Sequence, residues 1–165
     1  MKDNAKIIIG AVLVSALIIG ASVFFLGKDN RPKREQLGVA GMTIDKVFED
    51  FGNMKNDEER TATFTITNTS DAVLRIWNVA TSCNCTFASV VIGPQTTGEF
   101  NMPMHTIARL KNWIGEVPAK QIAILTVTYR PKIMPVTGVV TRQVRFATND
   151  PKNETVEVSV KANVL

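Results

Sequence analysis

Apolar and polar residues alternate under two different rules along this chain. In "IIIGAVLVSALIIGASVFFL", Ile7 to Leu26, no charged residue interrupts the apolar run. As a helix that run would be roughly 30 Å long, the thickness of a bilayer's hydrocarbon core. From about residue 42 onward the rule changes to period two, the signature of strands buried on one face. "TATFTIT" sets Ala62, Phe64 and Ile66 against threonines. "VLRIWNV" opposes Leu74 and Ile76 to Val73, Arg75 and Trp77. "QIAILTVTYR" is β-branched and apolar enough for a central strand. "VVTRQVRFAT" places Val140, Val144 and Phe146 on one face, and "ETVEVSVKANV" alternates from Val156 to Val164. "NTSDA" and "NDPKN" are clusters of turn formers between such runs. With "MTIDKVF" and a strand around Thr86, the count is about seven short strands and no long helix after residue 42. This predicts an all-β protein, an antiparallel β-sandwich. Its core is expected from Phe64, Ile66, Leu74, Ile76, Leu125, Val127, Val144, Phe146, Val158 and Val160.

The apolar run reads as one uncleaved N-terminal transmembrane helix. A cleaved signal peptide has a shorter apolar region and ends in a small-x-small site, whereas this run ends in "VFFLGKD". The predicted organisation is an anchor over 1–27, a polar stalk over 28–41 ("KDNRPKREQLGVAG") and a sandwich over 42–165. A long segment is inserted in the sandwich at about 91–117. Charge alone argues for a cytoplasmic domain, because Lys28, Arg31, Lys33 and Arg34 follow the run and only Lys2 and Lys6 precede it.

The net charge of +4 and the pI near 9.2 are mild, and the basic residues after 34 form no stripe with interleaved aromatics. Nucleic acid is not the expected partner. Catalysis has little to draw on: no glycine-rich phosphate loop, no nucleophile elbow and one histidine, His105. The acidic run Asp57, Glu58, Glu59 reads as a solvated turn, so no enzyme is predicted.

Four stretches together carry a family resemblance. They are "FEDFGNM", "FTITNTSDAVLRIWNVATSCNCT", "TVTYRP" and "TRQVRFATNDPKNETVEVSVKANV". They resemble the bacterial domain-of-unknown-function family 1573 over roughly residues 42–164. The resemblance implies an immunoglobulin-like sandwich similar to the domains of pilus chaperones. It also implies export behind a signal peptide or anchor, which places the domain outside the cytoplasm at the cell membrane, against the charge argument. It implies no established role. Family glycines are replaced here by Ser70 and Asn84, and the turn before the central strand reads "VPAK" without a glycine.

"TSCNCTFAS" holds the chain's two cysteines, Cys83 and Cys85. On an extended strand they face one side with Cα atoms roughly 6.6 Å apart, so a mutual disulfide requires a bend. Two same-side thiolates suit a soft ion such as Cu(I), and the nearby "NMPMH" offers Met104 and His105 as further ligands if the 91–117 segment folds back. Plain burial and a redox pair are the other readings of the thiols. "IARLKNWIGEV" sets Ile107, Leu110 and Trp113 at helical spacing, with Trp113 either an anchor for a protein partner or a cover over the open end of the sandwich. The expected function is a membrane-anchored, extracytoplasmic binding module, and the alternative is a copper-binding protein.

Overall fold

The computed structural model describes residues 38–165, together with Val14 and Ser15. The predicted anchor, residues 7–26, and most of the stalk lie outside the described residues. Among the described residues no helix is long and apolar enough to cross a membrane.

Among the described residues ten strands form two sheets. The first sheet contains β1 (Met42–Ile44), β3 (Arg60–Asn68), β8 (Ile122–Tyr129), β5 (Thr86–Ile92) and β6 (Gln95–Thr96), in that spatial order. The second contains β2 (Phe48–Met54), β10 (Thr155–Val164), β9 (Gly138–Thr148), β4 (Leu74–Thr81) and β7 (Ile114–Val117). The alternation read from the sequence sets which face is buried. Ala62, Phe64 and Ile66 stand opposite Val127, Leu125 and Ala123 on β8, and all six are buried. On the facing sheet Val144 and Phe146 stand opposite Val158 and Val156. All ten predicted core residues are at most 1% exposed. Burying each such side chain contributes about 1.5–3 kcal/mol before entropy is counted.

The architecture departs from the expected one in three places. The sandwich has ten strands because "MTIDKVF" divides into β1 and the start of β2, and because β6 and β7 are too short to show a period. It is not antiparallel throughout, since β2 pairs parallel with β10. The chain changes sheets through residues 45–47, between β1 in the first sheet and β2 in the second. The amphipathic helix is one turn, α1 (Ala108–Lys111), with Leu110 buried and Ile107 exposed. Residues 114–117 beyond it pair with β4 instead of continuing the helix.

Turn chemistry follows the side chains present. Lys120 occupies the left-handed region at φ 61°, which glycine would enter without strain. Its Nζ donates to Thr69 O at 2.8 Å and faces Asp71 Oδ1 at 3.1 Å. The other non-glycine residue with positive φ is Asn78, at the irregularity where the β4–β9 register shifts. Asn84 needs no left-handed conformation.

Candidate functional site

The register puts the motifs at opposite ends of the sandwich. Arg60 and Thr86 both pair with Tyr129, so the turns beside them share one end. Thr67 and Ile92 reach the opposite end, where they meet Ile122 and Ala123.

At that opposite end the "NTS" and "TNDP" motifs are clamps. Asn68 is fully buried, and its Nδ2 donates to Ala72 O at 2.8 Å and to Val117 O and Pro118 O, each at 3.0 Å. Its Oδ1 accepts from the N–H and the hydroxyl of Ser70. Serine in the glycine position thus adds a bond to the turn. Asn149, also buried, accepts from Arg75 N at 2.7 Å and donates to Val73 O at 3.1 Å and Gly38 O at 3.4 Å. Asp150 accepts from Met42 N at 2.9 Å, Lys152 N at 2.9 Å and Asn153 Nδ2 at 2.7 Å. Burial pushes the Asp150 carboxyl up, but the donors Asn153, Lys152 and Met42 together hold it below its ordinary value. Buried amides and carboxylates with all their partners present stabilise; removing one leaves strand termini unsatisfied.

At the other end lies the cysteine turn. Residues 82–85 leave the strand geometry between β4 and β5, and Thr86 N donates to Cys83 O at 3.1 Å, closing a turn. The Cα atoms of Cys83 and Cys85 are therefore 5.2 Å apart, nearer than on an extended strand, and the two residues form a disulfide. That corrects the expectation of free same-side thiols. The reason is the turn, which supplies the bend that an extended strand lacks. Both cysteines are buried, Cys85 completely, while Cys83 keeps 9% of its surface exposed. Cys85 N donates to Cys83 Sγ at 3.2 Å, and Arg130 N donates to Cys85 O at 2.8 Å.

The 91–117 segment does fold back over this turn. Phe100 forms a bridge with Ala88, and Asn101 Nδ2 donates to Asn84 O at 3.0 Å and Thr86 O at 3.1 Å. Met104 and His105, the predicted further ligands, end with exposed side chains. The methionine against the cysteines is Met134, whose Sδ is 3.7 Å from Cys83 Sγ. With Cys83 in a disulfide there is no thiol proton there, so this is a sulfur–sulfur contact. Among the described residues no group of three or more His, Cys, Asp or Glu could hold a metal ion. Nothing in "KIMPV" marks Met134 in the sequence; only the β5–β8 register brings it to Cys83.

The acidic run nearby is engaged in structural pairs. Glu58 accepts from Lys55 N at 2.6 Å. Arg130 holds Glu99 through two nitrogens, at 2.7 and 2.9 Å, and Glu59 through Nε at 2.6 Å. Glu99 first and then Glu59 hold the guanidinium's proton more tightly than usual. The same guanidinium lies 4.4 Å over the Phe87 ring.

Trp113 lies elsewhere, in the lateral seam between the edge strands β6 and β7. It is half-buried against the core and meets Phe100 edge-on, with ring centroids 5.3 Å apart. A Cβ on Gly115 would come within 2.4 Å of the Trp113 ring, so only glycine lets the indole lie across β7. The indole thus covers an open side of the core. It also helps to line a cleft of about 670 Å³ with Ile92, Thr96, Gly98, Arg109 and Glu116.

The architecture is an all-β sandwich of two sheets. Residues 42–113 match the model of the family described as "Protein of unknown function (DUF1573)", which bears out the resemblance over the stretch that holds the "NTS" turn and the cysteine motif; the "TNDP" turn lies beyond the match. No curated protein matches the sequence. Among solved structures, a protein of unknown function from Porphyromonas gingivalis W83 is 18% identical at a TM-score of 0.56, over 77% of this chain and 48% of its own. The chain thus spans about half the length of that relative. A family 123 glycoside hydrolase from Clostridium perfringens is 10% identical at a TM-score of 0.53, over 78% of this chain and 27% of its own. A PapD-like domain of human CEP192 is 9% identical at a TM-score of 0.49, over 84% of this chain and 92% of its own. What the two structures with TM-scores above 0.5 share with this chain is the fold.

Proposed function

We propose that this chain is a non-enzymatic binding module, anchored in a membrane by residues 7–26 with its sandwich outside the cytoplasm. The observation that carries the binding reading is the β6–β7 seam. Among the described residues both strands end their sheets, so each has one backbone rim with no described strand beside it. Such a rim can accept a further strand through its N–H and C=O groups, while a flanking pocket selects side chains. The cleft beside Trp113 supplies that pocket. The favoured ligand is an extended segment of a protein partner that lays an apolar side chain against Trp113.

Two observations support the location. A disulfide persists in oxidising compartments, and the uncharged run Ile7–Leu26 has the length of a membrane span. The non-enzymatic reading is supported by the engagement of Glu58 and Glu59 in structural pairs and by the exposed position of His105.

The binding reading is tested with unstructured peptides selected from a display library on the full chain. Their affinity should fall roughly tenfold or more for Thr96→Trp, which fills the cleft, a loss of about 1.4 kcal/mol. It should stay unchanged for Lys161→Ala, on the far strand β10. Equal binding to all three proteins would dismiss the seam. The orientation is tested by protease added to spheroplasts, which should digest the sandwich; protection until lysis would reverse it.

A further inference from the structure

We infer that the seam selects an acidic strand: the extended segment it takes carries an aspartate or glutamate that pairs with Arg109, besides the apolar side chain laid against Trp113. The inference rests on the seam reading above and adds the chemistry of its ligand. Two clefts join along the seam. The one beside Trp113 shares Ile92, Gln95 and Glu116 with a second of about 470 Å³, which runs on to Pro118 and Ile122. Pairing fixes the order along the groove. Phe100 lies opposite Ala88, Thr96 opposite Val91 and Gln95 opposite Ile92. The groove therefore passes from Gly98 and Arg109, beside Trp113, to Pro118 and Ile122 at the clamped end.

Among the described residues two charged side chains line this groove, Arg109 and Glu116. Glu116 is engaged, since Arg75 Nε on β4 lies 2.9 Å from its carboxylate. Arg109 is exposed, and none of the ion pairs among the described residues includes it. Its place is built into the wall. A Cβ on Gly98 would stand 3.3 Å from Arg109 Nη2 and 3.4 Å from Leu110 Cδ1, so the guanidinium lies over backbone that carries no side chain. Leu110, buried beside it, holds the one-turn helix against the core. The groove thus has a cationic end and an apolar end.

A guanidinium offers a planar fork of donors that matches the two oxygens of a carboxylate. Alternate side chains of an extended ligand point to one face. The acid for Arg109 and the apolar anchor for Trp113 therefore face the groove together when they stand an even number of residues apart in the ligand. An exposed pair of this kind is screened by water and salt, so it chooses between ligands more than it adds to their affinity. The apolar anchor supplies the larger share of binding, and Arg109 sets which anchored segment is preferred.

A display library of short unstructured peptides is selected on the full chain in detergent. The best binder is then synthesised with both ends capped, so that only side-chain carboxylates are read. It should carry an acid at an even offset from an apolar anchor. Exchanging that acid for its amide should weaken binding roughly fivefold, the upper end for an exposed pair. Arg109→Gln should weaken the acidic peptide by the same factor and leave the amide peptide unchanged. Arg109→Glu should instead prefer the peptide in which lysine replaces the acid. Added salt should shrink the acid's advantage. Thr96→Trp should weaken every one of these peptides; binders indifferent to it dismiss the seam, and this inference with it. Binders that Thr96→Trp weakens but that carry no acid, or that bind wild type and Arg109→Gln equally, keep the seam and overturn the acidic ligand.

Discussion

The two ends of the sandwich carry sequence motifs of similar conspicuousness and treat them differently. At one end the polar motifs are absorbed by the scaffold. Asn68, Asn149 and Asp150 are buried and bond to strands that lie far away in sequence, Asn149 reaching Arg75 and Asp150 reaching Met42. At the other end the cysteine motif closes the smallest of loops. Asn101 Nδ2 donates to Asn84 O and Thr86 O, Arg130 N donates to Cys85 O, Ser82 and Gln143 exchange bonds across to β9, and Met134 Sδ lies against Cys83. A motif that ties distant strands together is architecture. The disulfide itself joins residues two apart in the chain, so it can open while the sheets remain paired.

The core that both ends share carries the largest single-residue effect. Phe64→Ala removes a fully buried ring that faces Leu125, and it should cost about 3–5 kcal/mol in denaturant unfolding. A loss below about 0.5 kcal/mol, the size of a surface substitution, would mean that the buried face is misassigned. Next comes the clamp. Asn149→Ala leaves the part-buried Arg75 N and Val73 O without their side-chain partner, and since water can reach Val73 a loss of roughly 1–3 kcal/mol is expected. A loss no larger than that caused by reducing the disulfide would erase the contrast between the ends.

Acid should act on the clamped end. The Asp150 carboxyl is held below its ordinary value by Asn153, Lys152 and Met42 despite its burial. A carboxyl depressed in the folded state contributes stability that is present above its unfolded value, about 3.9. That stability is lost as pH falls through the folded value, below about 3.9. Asp150→Asn should lower stability at pH 6 and flatten the decline on the acid side. An unchanged acid limb in the variant would assign that decline to other carboxylates. Reduction of Cys83–Cys85 is the mildest of these perturbations. Closing a loop of three residues restricts the unfolded chain by only about 1.5 kcal/mol in the entropic account. A loss above about 3 kcal/mol would make the cysteine turn a structural staple.

The fold is legible in the sequence where strands are long and one-sided. β3, β9 and β10 run nine residues or more with period-two burial, which cannot be mistaken for a helix over that length, and β8 shows as a β-branched apolar run. β7 is hidden because Ile107, Leu110 and Trp113 recur every third residue and carry a helical reading into Ile114–Val117. Gly115, under the Trp113 ring, is the one local sign of a close approach. The cysteines read as strand residues because "ATSCNCTFA" offers no glycine or proline to mark a turn. Met134 is beyond any local pattern, since only the register of β5 against β8 joins it to Cys83.

Hydrogen exchange of the full chain, oxidised against reduced, tests the contrast most directly, because it reads each end separately. At the cysteine end the informative amides are Cys85, bonded to Cys83 Sγ, Thr86, bonded to Cys83 O, and Arg130, bonded to Cys85 O. At the clamped end they are Met42, Ser70 and Arg75, bonded to the side chains of Asp150, Asn68 and Asn149. Reduction should speed exchange at the first three and leave the second three unchanged. Loss of protection at Met42, Ser70 and Arg75 on reduction would show that the cysteine turn holds the sheets together, and would contradict the contrast between the two ends.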